Sequence, residues 1–327
     1  MRRRALLIGG AASAALAATG GLAQQPRSYR VGILTPLSGM AASQHLSALR
    51  EQLAKQGFVE GRNLGFEIRH PQFGPQYAKE AAGELAALKV DAILAFGTTM
   101  ASAALGAARS TPIVFTWVAD PVGAGLVKDL SRSGGNVTGV TNRGFEIAAK
   151  RLELLRETLP KAKRVAAVAG YFDSVLETAM HFAQRAADGL GFDLVRITAG
   201  AAWERVVDAS IEARADALLV LTPFEFFGMR STAEHVVRST IERRVPAVFS
   251  ERETVEIGGL MSYATSLVDD TRRGADLLAR VLKGEKPGNL PVDQASRFEF
   301  AVNLKTARAI GLAIPQSLLL RADRIIE

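Results

Sequence analysis

The sequence predicts an α/β protein of two similar lobes, each a parallel sheet covered by helices, joined by a hinge of several strands. Three observations carry this expectation. Short apolar strands alternate with amphipathic helices. The alternation runs through the chain twice. Matching pieces recur in the two halves: Val90-Asp91-Ala92-Ile93-Leu94 echoes Ala215-Asp216-Ala217-Leu218-Leu219, and Thr111-Pro112-Ile113-Val114-Phe115 echoes Val245-Pro246-Ala247-Val248-Phe249. Such a long period describes two lobes side by side and not a solenoid.

In order, the first half reads as a strand at 29–34, a helix at about 41–56 closing on Gly57, and a strand at 64–69. A helix at about 76–88 leads to a strand at 92–96, and a helix at about 99–109 to a strand at 113–117. The second half repeats the scheme. Strands are expected at 164–169, 193–197, 217–221 and 247–250, with helices at 174–189, 203–214 and 228–243 between them. The tail is no third copy. Gly258-Gly259-Leu260-Met261-Ser262-Tyr263 reads as a crossing, 269–283 as an amphipathic helix, 286–291 as a linker and 298–302 as a strand, with a short helix ending near Gly311. The expected division is residues 27–143 plus about 259–291 for the first lobe, and 144–258 plus about 292–327 for the second. Strand–helix alternation implies right-handed crossovers and ligand sites at the carboxyl ends of the strands.

Composition fits this plan: 48% of residues are hydrophobic and 22% charged, with only 6% aromatic. The N-terminus carries the strongest local signal. Arg2, Arg3 and Arg4 precede an apolar stretch at 5–18, and Gly21-Leu22-Ala23 offers small residues before Gln24. This is the pattern of a secretory signal peptide cleaved near Ala23. The alternative, a membrane anchor, is disfavoured by a short span diluted with Gly, Ser and Thr. Removing three arginines from a formal net charge of +7 leaves +4. The basic run Lys161-Ala162-Lys163-Arg164 is short and leads into a strand, so nucleic acid is not an expected partner. There are no cysteines, hence no disulfides and no lipid-anchored cysteine. A periplasmic location follows as the expectation.

Several stretches resemble one family of ABC-transporter substrate-binding proteins. They are Asp120-Pro121-Val122-Gly123-Ala124-Gly125-Leu126-Val127, Ser133-Gly134-Gly135-Asn136-Val137-Thr138-Gly139, the crossing ending at Tyr263, Leu282-Lys283-Gly284-Glu285-Lys286-Pro287, Leu290-Pro291-Val292, Phe298-Glu299-Phe300 and Asn303-Leu304-Lys305-Thr306-Ala307. The resemblance implies the type I periplasmic-binding-protein fold, two Rossmann-like lobes closing on a small molecule. It also implies ABC permease subunits as partners and relatives that take tryptophan or other aromatic amino acids. Two loops depart from the family pattern, Gly170-Tyr171-Phe172-Asp173-Ser174 and Ala264-Thr265 after Tyr263. The ligand is therefore open to differ from that of better-known relatives.

The loops after the strands nominate the site. Leu37, Ser38, Gly97, Thr98 and Thr99 lie where first-half helices begin, and Ser38, Thr98 and Thr99 offer hydroxyls and free N–H groups to a carboxylate. Plain helix capping is the alternative for these three. Asp120 and Glu225 are candidate ammonium partners, with a turn-stabilising role the alternative for Asp120. Trp117, Tyr171, Phe224 and Tyr263 are candidates to stack on a flat ligand, or else pack in the core. Asp173 and Ser174 share the second-lobe loop with Tyr171. Arg252, and Arg143 with it, would pair with an anionic ligand or stand as surface arginines.

Enzyme signatures are missing: there is no nucleophile elbow, P-loop or Gly-x-Gly-x-x-Gly after the first strand. His45, His70, His181 and His235 lie far apart, so no metal or other cofactor is expected. The leading expectation is a monomeric periplasmic binding protein of an importer. The alternatives are a ligand-sensing protein of the same fold and a sugar-responsive regulator, the latter opposed by the signal peptide and the missing helix-turn-helix.

Overall fold

A computed structural model of the 327-residue chain describes residues 27–37, 39–71, 74–169, 176–199, 202–221 and 230–327. Two sheets organise it. The first runs β11-β5-β4-β3-β1-β2, built from β1 (Tyr29–Leu34), β2 (Leu64–Arg69), β3 (Ala92–Phe96), β4 (Ile113–Val118), β5 (Val137–Thr141) and β11 (Asp293–Gln294), and every pairing in it is parallel. The second runs β13-β12-β10-β9-β8-β6-β7, built from β6 (Arg164–Ala169), β7 (Asp193–Thr198), β8 (Ala217–Val220), β9 (Ala247–Phe249), β10 (Met261–Thr265), β12 (Phe298–Asn303) and β13 (Arg324–Ile326). Its one antiparallel pairing joins β10 to β12. In both sheets the third strand in sequence lies beside the first, on the side away from the second. Chain direction across the sheet therefore reverses at β1/β3 and β6/β8.

Central strands are buried and mostly apolar because helices cover both faces. β3 and β4 are buried at every position, and each fully buried Leu, Ile or Phe contributes about 1.5–3 kcal/mol. The edge strand β7 has only exposed and half-buried positions. One face of the first sheet packs on α1 (Gly39–Lys55) and α9 (Leu267–Leu282), the other on α2 (Pro75–Ala87) and α3 (Thr98–Ala107). The second sheet lies between α4 (Gly144–Thr158) with α5 (Leu176–Leu190) and α6 (Val206–Glu212) with α7 (Arg230–Glu242). Short helices α8 (Arg252–Glu256), α10 (Leu304–Ala309) and α11 (Gln316–Leu319) complete the chain. α9 shows why a helix forms where it does. Ser266 caps it by accepting from the Asp269 N–H (3.3 Å), Asp269 and Asp270 occupy its first turn, and Arg280 its last. Each choice suits the helix dipole.

The polypeptide passes between the sheets three times: at Asn142–Arg143 after β5, at Ser266 after β10, and at 295–297 after β11. These points correct the expected division. β10 belongs to the second sheet, because Met261 and Ser262 pair with Val248 and Phe249 while the whole strand pairs with β12. The transfer thus comes at 266, not 259. Asp293 and Gln294 pair with Val140 and Thr141 of β5, so the return comes after 294, not 291. Two elements between the expected repeats, β5 and α4, add a fifth strand and a helix to the scheme.

Candidate functional site

All three passages lie at the carboxyl ends of parallel strands, so these two sheet edges are the ones the connections bring together. Ala119 and Ala124, in the loop after β4, pack against the core of the second sheet. Open α/β sheets hold ligands at this edge, where strand order reverses.

On the first sheet the reversal lies between β1 and β3. Leu37, after β1, is buried, and its N–H donates to the Thr35 hydroxyl (3.1 Å). Ser38 lies outside the described residues. After β3 the chain turns on Gly97, whose φ of +87° favours glycine. Its N–H donates to the Thr116 carbonyl (2.8 Å), and its own carbonyl accepts from Ala101 (3.0 Å). α3 begins at Thr98 with Gly97 as its N-cap, and no side chain caps it. Among the described residues the N–H groups of Thr98, Thr99 and Met100 have no intrahelical acceptor and no capping oxygen. This end of α3 is suited to an anionic group.

Two first-lobe candidates make contacts within their own lobe. Trp117 is only 8% exposed. It sits at a register shift between β4 and β5 with φ +63°, and its indole N–H donates to the Leu267 carbonyl (3.0 Å). Its ring meets His45 and Phe96 edge-on, at centroid distances of 4.6 and 4.8 Å. A bulge at a strand end re-aims a side chain, and here it accompanies an indole packed in the core. Burial also lowers the His45 pKa to about 4, so the ring is neutral. Asp120 Oδ1 accepts from the Gly123 N–H (2.8 Å), the turn-stabilising arrangement. Beside them, Gly139 faces Phe115 so closely that a Cβ would lie 2.2 Å from the Phe115 carbonyl oxygen, and no larger residue fits.

On the second sheet, Tyr171, Asp173, Ser174, Phe224 and Glu225 lie outside the described residues. The remainder of this edge is rich in charge. Arg252 opens α8 and is surrounded by carboxylates, Glu299 at 3.0 Å, Glu256 at 3.1 Å and Glu253 at 3.7 Å. Its charge is thus compensated within the protein. Arg143, at the first passage, pairs with Glu146. Tyr263 is half-buried on β10 and stacks on Phe298 (5.8 Å, 12°). At the passage itself, Thr265 Oγ1 donates to Asp270 (2.9 Å), and burial pushes the Asp270 pKa up to about 7.

Two further residues stand at this edge: Glu251, whose loop the sequence pointed to without singling it out, and Arg151, which it did not nominate. Glu251 is 2% exposed; burial pushes its pKa up to about 8, against the hydroxyls of Ser250 and Thr254, which donate to it. Arg151 is 3% exposed and reaches from α4 to the Ser250 and Tyr263 carbonyls. The signal for Arg151 was present: it falls on the stripe Ile147, Ala148, Leu152, Leu155, where a charged residue has no reason to be unless it has buried partners. Among the described residues no group of three or more His, Asp or Glu is placed to hold a metal ion.

Residues 30–326 match the ABC transporter substrate binding protein family. A tyrosine-binding protein of Clostridioides difficile (strain R20291) is 26% identical over 262 residues, which is 80% of this chain and 74% of that protein. A conserved domain protein from Vibrio cholerae O1 biovar eltor superposes with a TM-score of 0.84 at 27% identity, over 91% of this chain and all of that one. An ABC domain from Streptococcus pneumoniae, solved in complex with L-Trp, gives 0.82 at 25% identity with the same coverage. The fold is that of the type I periplasmic binding proteins, and the chain belongs to the ABC transporter substrate-binding protein family.

Proposed function

We propose that this protein captures an amino acid, foremost an aromatic one, between its lobes and delivers it to the membrane permease of an ABC importer. It acts in the periplasm, after removal of the leader near Ala23, and performs no chemistry on its ligand. The observation that carries the reading is the N-terminus of α3: three N–H groups without a capping side chain, at the strand-order reversal, on the edge that the passages bring toward the second sheet. Such an end favours a carboxylate. The resemblance to proteins described as tyrosine-binding and as complexed with L-Trp supports an amino acid as its bearer.

In this reading Leu37, Ser38, Gly97, Thr98 and Thr99 form the carboxylate side. Asp173, Ser174 and Glu225 are the candidates for the ammonium group, and Tyr171, Phe224 and Tyr263 for the side chain. Trp117, Asp120 and Arg252 shape the walls through the contacts described above. Ligand favours the closed form because only closure completes both sets of contacts.

The test is calorimetric titration of residues 24–327, unfolded and refolded to strip carried-over ligand, with L-tryptophan, L-tyrosine, L-phenylalanine, aliphatic amino acids, sugars and nucleosides. Saturable binding of an aromatic L-amino acid, with a matching rise in melting temperature, is expected. Saturation by a sugar or nucleoside and by no amino acid overturns the reading.

A further inference from the structure

α4 carries two arginines, Arg151 and Arg156, that both donate to backbone carbonyls, at opposite edges of the second sheet. Arg156 Nη1 donates to Ala162 (2.7 Å) and Nη2 to Leu190 (2.7 Å), and its guanidinium lies 3.7 Å from the Phe192 ring centroid. That is the edge where β6 begins. Arg151 works at the other edge. Its Nε donates to the Tyr263 carbonyl (2.8 Å) and its Nη2 to the Ser250 carbonyl (3.2 Å).

The place of these two carbonyls matters. Pairing between β9 and β10 ends at Phe249 and Ser262. Beyond it the strands part, one continuing through Ser250 to Glu251 and α8, the other through Tyr263 to the passage at Ser266. Arg151 spans the fork just past that point, taking one carbonyl from each branch. Among the described residues Arg151 has no carboxylate within salt-bridge distance, although the buried Glu251 nearby favours its charge, and its Nη1 is buried without an acceptor. Glu251 turns its carboxyl to the hydroxyls of Ser250 and Thr254. A buried guanidinium is costly to keep, and what this one does is hold two diverging backbones at one spacing. The planar guanidinium suits two acceptors at once, which a lysine ammonium does not.

We infer that Arg151 is a positioning residue of the ligand cleft: its two-armed bridge fixes the hinge strand at Tyr263 relative to the β9 exit at Ser250–Glu251, so that the second lobe meets ligand in one geometry. This rests on the reading of the cleft as an amino-acid site.

The test uses the folded, stripped protein well below its melting temperature, with L-tryptophan and L-tyrosine as probes. Arg151→Met is expected to weaken binding by about tenfold to a hundredfold, since it leaves two carbonyls without their donor. Amide exchange is expected to lose protection at 250–254 and 261–265 in the same variant. Arg156→Met, which disturbs the same helix at the far edge, is expected to hold affinity within about twofold. Arg151→Lys keeps the charge but not the two-armed reach and is expected to stay weak; Arg151→Gln serves if the Met variant does not fold. Unchanged affinity in folded Arg151→Met or Arg151→Gln, full recovery with Lys, or an equal loss in Arg156→Met overturns the inference. If the wild-type protein binds neither amino acid, the ligand reading fails. Exchange then decides alone, and retained protection at both segments in Arg151→Met overturns the bridge.

Discussion

The two sheet edges follow one strand-and-helix plan but are furnished differently. Around α3 the first is electrically quiet, its strongly shifted carboxyl being Asp270, buried at the start of α9. Gly97, Thr98 and Thr99 present backbone N–H groups and hydroxyls, Trp117 packs into the core, and Asp120 is tied to its own turn. The second edge buries Arg151 and Glu251 and surrounds Arg252 with three carboxylates. Dipoles at a helix end hold their strength at any ordinary pH; buried ionisable groups do not. The α3 terminus and the second edge therefore answer differently to pH and to substitution.

The largest effect should come from removing the aromatic anchor of the quiet edge. Trp117→Ala empties a site packed against His45 and Phe96 and frees the Leu267 carbonyl. We expect a loss of about 3–5 kcal/mol in urea unfolding. A loss below about 1 kcal/mol would break the comparison, because it would make the indole a cleft residue and not a core one.

Next comes the charged edge. Glu251 ionises at about 8 in the folded protein because burial opposes its charge, far above the ordinary carboxylate value. The folded state thus holds the proton more tightly than the unfolded one. The stability this contributes is complete below about pH 4 and is lost as pH rises through 8. Glu251→Gln cannot ionise, so it should exceed wild type by up to about 4 kcal/mol above pH 8, with the gap closing toward pH 4. Melting curves from pH 4 to 9 check this, and a gap independent of pH would refute it. His45 in the first lobe runs the other way. Its pKa is lowered to about 4 by burial, so its stabilising contribution is present above about 6.5 and lost as pH falls through 4.

The smallest effect sharpens the contrast between α3 and α9. Ser266 caps α9, whereas Gly97 leaves α3 without a capping side chain. Ser266→Ala should lose about 1 kcal/mol in urea unfolding and leave ligand affinity unchanged. A loss of affinity would mean that the α9 terminus also serves the ligand.

What the sequence disclosed follows from how each element is stabilised. β1, β2, β3 and β6 fall at the expected residues because each is a short run rich in aliphatic side chains, bounded by polar residues or turns. β5, Val137–Thr141, has no such run. Threonines and Gly139 stand where a strand would place bulk, and Gly139 is required by the close approach of Phe115. α4 lacks a start signal: its N-cap, Arg143, has φ +51° and makes no capping bond. β11 and β13 are two and three residues long, and only pairing makes them strands. At the site, a helix start at Gly97-Thr98-Thr99 was legible, but not that Gly97 would be the N-cap and leave α3 without a capping side chain. The inward turn of Trp117 was not, since it accompanies a register shift that only the paired sheet reveals. Nor was the fork beneath Arg151, whose two carbonyls stand 99 and 112 residues away in the chain.

The order in which the chain is made gives the late crossing of α9 a further meaning. α9 covers one face of the first sheet, and β11 extends its edge, yet both follow every helix-linked strand of the second sheet. β12 and β13, which finish the second sheet, come later still. A ribosome that has read as far as residue 260 has released neither lobe in finished form, and a premature stop before 267 yields a first sheet with one face part-covered and a second sheet short of β12 and β13, instead of one sound lobe and one broken one. Local contacts alone cannot close such a molecule. Completion of both lobes therefore waits on the last stretch of the chain, residues 267–327.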